Sequence, residues 1–139
     1  AVAGTTYASD QNVGANIEAL DAALVLERDE TTDSNSTSNT SLDTVLVDDV
    51  DFVCWDIIAT EYGVRDNKKK LTIHAMHDGT SSADATEVDF TIFAILEVGL
   101  EITGLDFDVT LNGTTTSQVM RLSFTSTDAI DVKVVKRVV

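Results

Sequence analysis

The chain has 139 residues, 43% of them hydrophobic, which suits one globular domain with its own core and argues against disorder throughout. Nine Lys and Arg against 24 Asp and Glu give a net charge of −15, which argues against binding a nucleic acid backbone or an anionic membrane surface. A single cysteine, Cys54, excludes an internal disulfide framework; no signal peptide is visible, and no segment reaches the roughly 20 apolar residues of a membrane span.

Residues 1–28 contain the one convincing helical pattern. Ser9 or Asp10 can cap its start. The apolar residues that follow recur at spacings of four, three and four and form a narrow stripe of the coiled-coil type: Val13, Ile17, Leu20 and Leu24. An isolated helix of this length is only marginally stable in water, so another surface must bury the apolar stripe. Two interpretations stay open: packing on the chain's own sheet, or an oligomer interface formed with the same helix of other subunits.

Residues 29–43 are almost entirely Thr, Ser, Asn, Asp and Glu. Such a run buries too little apolar surface to offset the entropy lost on ordering. We therefore predict a polar linker or extended arm between the N-terminal segment and the rest of the chain.

In residues 44–139 apolar and polar side chains alternate. This period of two predicts strands with one apolar face and one polar, solvent-exposed face. Turn residues separate the runs, and Asn112-Gly113 predicts a two-residue hairpin turn. This pattern predicts a mainly β, antiparallel sandwich or jelly-roll-like domain. The predicted strands are 44–50, 52–61, 70–77, 86–96, 100–111 with a break near Gly104, 119–125 and 129–138.

No constellation of residues predicts chemistry, so the sequence assigns no catalytic, cofactor-binding or metal-binding residue. His74 and His77 are three apart in a predicted strand and therefore point to opposite faces. The carboxylates of Asp48, Asp49 and Asp51 could hold a cation, but a solvated turn explains them better. Cys54 and the neighbouring Trp55 are predicted to be buried, the thiol inert.

Two segments carry a resemblance. Residues 13–24 resemble a short helical element, Val-Gly-x-x-Ile-x-x-Leu-Asp-x-x-Leu, of tailed-phage fibre and other virion proteins. Residues 71–80, with His-Asp-Gly-Thr at the strand end, and the closing strand 130–139 are similar to β domains in structural proteins of marine and cyanobacterial phages. The resemblance implies a fibre segment or a capsid decoration protein, usually a homotrimer or other homo-oligomer. It implies no catalytic residues.

These observations lead to a functional hypothesis of a non-enzymatic virion structural protein. It would assemble with itself and with other virion proteins on the particle surface, through residues 1–28 and the polar arm. One alternative is a receptor- or glycan-binding tip module on the same particle. Another is the subunit of an extracellular filament built by strand exchange, which the polar arm and the absence of proline from the strand edges favour. In the virion hypothesis neighbouring chains could also contribute strands, with residues 129–138 as the donor.

Overall fold

The computed structural model describes residues 29–80 and 84–139. These residues form a mainly β fold, an antiparallel sheet of six strands with a single short 3-10 helix. The strands are β1 (Asp29–Leu46), β2 (Phe52–Glu61), β3 (Lys68–His77), β4 (Val88–Val98), β5 (Asp106–Asn112) and β6 (Val119–Val138), and the 3-10 helix is Thr115–Ser117. None of the described residues form a helix long and apolar enough to cross a membrane.

Strand β6 pairs with three other strands. The order of the sheet is β1-β6-β2-β3-β4, and β5 also pairs with β6. β1 pairs along most of one side of β6. On the other side, residues 119–125 pair with β5 and residues 130–138 pair with β2. β6 therefore joins two halves of the sheet, one built with β5 and one with β2, β3 and β4.

Both halves bury side chains in the same core. Phe107 on β5 packs in one cluster with Trp55 on β2 and Ile73 on β3. Trp55 is fully buried and Cys54 is 5% exposed, so the predicted burial of both is confirmed. The indole nitrogen of Trp55 donates a 2.8 Å hydrogen bond to Asp43, which satisfies the one polar atom of this side chain.

The segment predicted as a linker or arm, residues 29–43, is instead part of strand β1. Its backbone pairs with β6, from Asp29 opposite Lys136 to Asp43 opposite Leu122, with three irregularities in register. Backbone pairing needs no apolar side chains, and the side chains of this segment are mostly exposed on the sheet edge. Composition predicted its polar surface but not its partner strand, because the hydrogen bonds come from the backbone.

Two further strand predictions and the predicted hairpin turn differ from the structure, and the bounds of β3 and β4 shift by two residues. β6 is one strand of 20 residues instead of two, and the predicted strand 100–111 shortens to Asp106–Asn112. The turn after Asn112 spans residues 113–118 and includes the 3-10 helix, so it is longer than a two-residue hairpin turn. Gly113 alone of the predicted pair has positive φ, +85°.

The remaining fold predictions concern the β class, the sandwich or jelly-roll architecture, the strand donor and the N-terminal helix. The β class is confirmed, whereas the six-stranded sheet does not confirm a sandwich or a jelly roll. Residues 129–138, considered above as a strand donor, lie in the middle of the sheet between β1 and β2. The helix with Val13, Ile17, Leu20 and Leu24 lies outside the described residues, and the division into domains stays a prediction.

Candidate interaction surface

The outer face of strands β2, β3 and β4 carries exposed apolar side chains next to lysine side chains. Along β2 the buried residues Trp55, Ile57 and Ala59 alternate with residues that point outward, among them Ile58. Ile58 stands opposite Lys70, which in turn stands opposite Leu96 on β4. These residues line one shallow depression together with Lys68 and Val98. The depression is thus an apolar strip bordered by lysine side chains.

Large apolar side chains continue along β4 and into the loop after it. We call the following set the β4 surface: Ile58, Phe93, Ile95, Leu96, Val98 and Leu100. Their exposed fractions run from 39% for Phe93 to 77% for Leu100. Single exposed apolar residues are ordinary, but several large ones close together along one strand and the loop after it indicate an interaction site.

The sequence of β4 is typical of an interior strand, although β4 lies at the edge of the sheet. Residues 90–96 read Phe-Thr-Ile-Phe-Ala-Ile-Leu, a nearly continuous apolar run of the kind found in strands covered on both faces. Every residue from Phe93 to Glu101 is exposed. The composition of this strand therefore indicates that another surface covers it.

A β-bulge interrupts the free edge of β4. The register shifts between Lys70 and Thr72 on the neighbouring strand, and Ala94 takes a φ of +53°, which is unusual for a residue other than glycine. A bulge in an edge strand disrupts its row of backbone donors and acceptors and hinders the addition of another strand. A partner of β4 is therefore expected to pack on its side chains.

The loop after β4 is held in one conformation. The side chain of Asn67 donates to Glu61 at 2.6 Å and accepts the backbone N–H of Leu100 at 2.8 Å. Gly99 has a φ of +75°, and a β-carbon there would collide with the carbonyl oxygen of Asp66. Leu100 is thus presented to solvent on a fixed backbone, which lowers the entropy lost when a partner buries it.

A charged cluster centred on Asp56 borders the β4 surface. Thr72 and Arg137 each donate a 2.8 Å hydrogen bond to Asp56, and the ammonium of Lys70 lies 3.7 Å away. Partial burial raises the pKa of Asp56, but the hydrogen bond from Thr72 and the charges of Arg137 and Lys70 outweigh it and lower this pKa. The carboxylate is therefore ionised and fully engaged in neutral solution.

The two histidines lie on opposite faces of β3, as predicted. His74 packs edge-on between Phe52 and Phe93, at ring-centre distances of 5.0 and 4.5 Å. His77 is buried, with Nε2 2.5 Å from the carbonyl oxygen of Val50 and Nδ1 accepting the N–H of Gly79 at 2.9 Å. Nδ1 accepts, so Nε2 carries the proton. His74 packs between aromatic rings and His77 hydrogen-bonds the backbone on the other face, so the two rings share no ligand position.

The carboxylates singled out in the sequence lie in turns. Asp48, Asp49 and Asp51 occupy the turn between β1 and β2. Asp78 accepts three hydrogen bonds. The hydroxyl and the backbone N–H of Thr86 donate two of them, and the backbone N–H of Glu87 donates the third. These bonds, led by the Thr86 hydroxyl, lower the pKa of Asp78 to about 2. Within residues 29–80 and 84–139, no group of three or more His, Cys, Asp or Glu side chains is placed to hold a metal ion.

The sequence did not predict the β4 surface. It placed a strand at residues 86–96 but proposed the stripe of residues 13–24 as the interface. The available signal was the loss of alternation after Thr91, where apolar residues follow one another without the polar partners that an edge strand needs.

Comparison with known proteins gives no match to a family or curated protein and a weak similarity to a solved structure. The crystal structure of the Acinetobacter baumannii phage AM24 tailspike protein is similar, with a TM-score of 0.46 and 9% sequence identity. The match covers 80% of this chain and 26% of that chain, so this chain spans about a quarter of the tailspike's length. A similarity of this size assigns neither a family nor an activity.

Proposed function

We propose that this chain is a non-enzymatic structural protein that assembles with copies of itself on the surface of a phage particle. The observation that carries the proposal is the β4 surface. Strand β4 has the sequence of an interior strand but lies at the sheet edge, and within the described part of the chain its residues from Phe93 onward are exposed.

The size of the β4 surface favours a stable contact. Completing the burial of a half-exposed Leu, Ile, Val or Phe stabilises a contact by about 1 kcal/mol. Several such side chains on each partner supply a driving force for association, and the fixed backbone at Leu100 lowers the entropic cost. An exposed surface of this kind would otherwise promote aggregation.

The placement on a phage particle is supported by sequence resemblance. Residues 13–24 resemble a helical element of virion proteins, and residues 71–80 and 130–139 resemble β domains of phage structural proteins. In this proposal the stripe of Val13, Ile17, Leu20 and Leu24 forms a second contact between subunits. The acidic exterior keeps the assembled surface soluble.

Two measurements on residues 1–139 test this function. In sedimentation equilibrium we expect a mass that is a multiple of 14.9 kDa. In electron micrographs of particles from the source phage, gold-labelled antibodies against the chain should decorate the particle surface. A protein that is monomeric at all concentrations, or antibodies that find it only in particle-free fractions, would contradict the proposal.

A further inference from the structure

The charges beside the β4 surface differ from those of the rest of the molecule. The chain carries 24 acidic and nine basic side chains, so two copies repel each other over most of their surfaces. Three of the nine cations are consecutive, Lys68, Lys69 and Lys70, at the start of β3 next to β4. The repulsion between two copies is therefore weaker beside this lysine run than at a purely acidic surface.

Only one of these three lysines is available to a partner. Lys69 pairs with Glu97 at 3.0 Å, and Lys70 lies 3.7 Å from Asp56. Lys68 is exposed, and its ammonium makes no hydrogen bond or ion pair within residues 29–80 and 84–139. Its side chain lines the same depression as Leu96 and Val98.

An available anion stands at the end of the same surface. Glu101 follows Leu100, is exposed, and its carboxylate has no hydrogen-bond or ion-pair partner among the described residues. Lys68 and Glu101 do not pair with each other within the chain. The β4 surface thus carries an unpaired cation and an unpaired anion at its border, an arrangement that is complementary to itself.

We infer that the occupant of the β4 surface is a second copy of this chain, positioned so that Lys68 of one copy meets Glu101 of the next. The inference rests on the proposed function and adds the residues that orient the contact. Apolar packing of Leu96, Val98 and Leu100 supplies affinity. The border charges select the orientation, because any arrangement that brings Lys68 to Lys68 or Glu101 to Glu101 is opposed.

Charge reversal tests this pairing in the complete chain. Lys68→Glu or Glu101→Lys alone places like charges together, and each should weaken assembly about tenfold or more in sedimentation equilibrium. The double variant restores opposite charges and should assemble within about threefold of the wild type. Both positions are exposed, so circular dichroism should show an unchanged fold for all three variants.

A second double variant separates pairing from net charge. Lys68→Glu combined with Asp49→Lys has the wild-type net charge, but its new cation lies in the β1–β2 turn, so assembly should stay weak. If this variant recovers self-association to the same extent as the double variant Lys68→Glu with Glu101→Lys, the specific pairing is wrong. If no reversal affects assembly while Leu96→Asp abolishes it, the pairing is wrong and the proposed function stands. A monomeric wild type in which residues 1–28 protect the β4 surface overturns both.

Discussion

Replacing Leu96 with Asp should separate the copies, weakening self-association at least about a hundredfold. Leu96 is 68% exposed and lies centrally on the β4 surface, so the fold of one subunit does not depend on it. In the assembled state the new carboxylate would be desolvated among apolar side chains without a partner. Sedimentation equilibrium over a concentration series measures the effect directly.

Ser41→Asp is the matched control for this variant. It adds the same charge at an exposed position of β1, the opposite edge of the sheet. Its self-association should remain within about threefold of the wild type, because its distance from β4 leaves only a screened long-range repulsion. Equal weakening by both substitutions would attribute the effect to net charge and remove the β4 surface from the interface.

Replacing Asp43 with Ala should lower the free energy of unfolding by about 3 kcal/mol. The carboxylate of Asp43 accepts the indole N–H of Trp55 at 2.8 Å and lies 3.5 Å from the ammonium of Lys136. Both charged side chains are largely buried, with exposed fractions of 12% and 15%. Alanine would leave the Trp55 donor without a partner and the Lys136 charge with only Asp29 and the Thr44 carbonyl oxygen.

Urea unfolding in the Leu96→Asp background measures this loss without a contribution from assembly. Asp43→Asn should cost less than alanine, since the amide oxygen still accepts the Trp55 N–H. Asp106→Ala, at an exposed site on β5, should change stability by less than about 0.5 kcal/mol. A loss for Asp43→Ala no larger than that for Asp106→Ala would show that the buried cluster is not stabilising.

The sequence predicted best where side chains determine the structure. Strand β2 has the predicted bounds, Phe52–Glu61, because its inner face is apolar at every second position. Burial of Trp55 and Cys54 and the opposite orientations of His74 and His77 follow from the same alternation. These features depend on residue type and a period of two, both of which can be read directly.

The sequence predicted least where backbone pairing or a distant contact determines the structure. Residues 29–43 join the sheet through their backbone, which their polar side chains do not indicate. The continuity of β6 depends on β1, which pairs with both of its halves. The exposure of β4 follows from the strand order, which the local sequence does not contain. The loss of alternation after Thr91 indicates a strand covered on both faces but not its place at an edge.

The accessibility of residue 98 tests most directly whether copies of this chain cover the β4 surface. With Cys54 replaced by Ala, Val98→Cys and Ser41→Cys each provide one thiol, and the rate of maleimide alkylation reports its exposure. We expect the thiol at residue 98 to react slowly at concentrations where the protein is assembled and rapidly after dilution to monomers, while the thiol at residue 41 reacts rapidly in both. Rapid alkylation of residue 98 in the assembled protein would contradict the account.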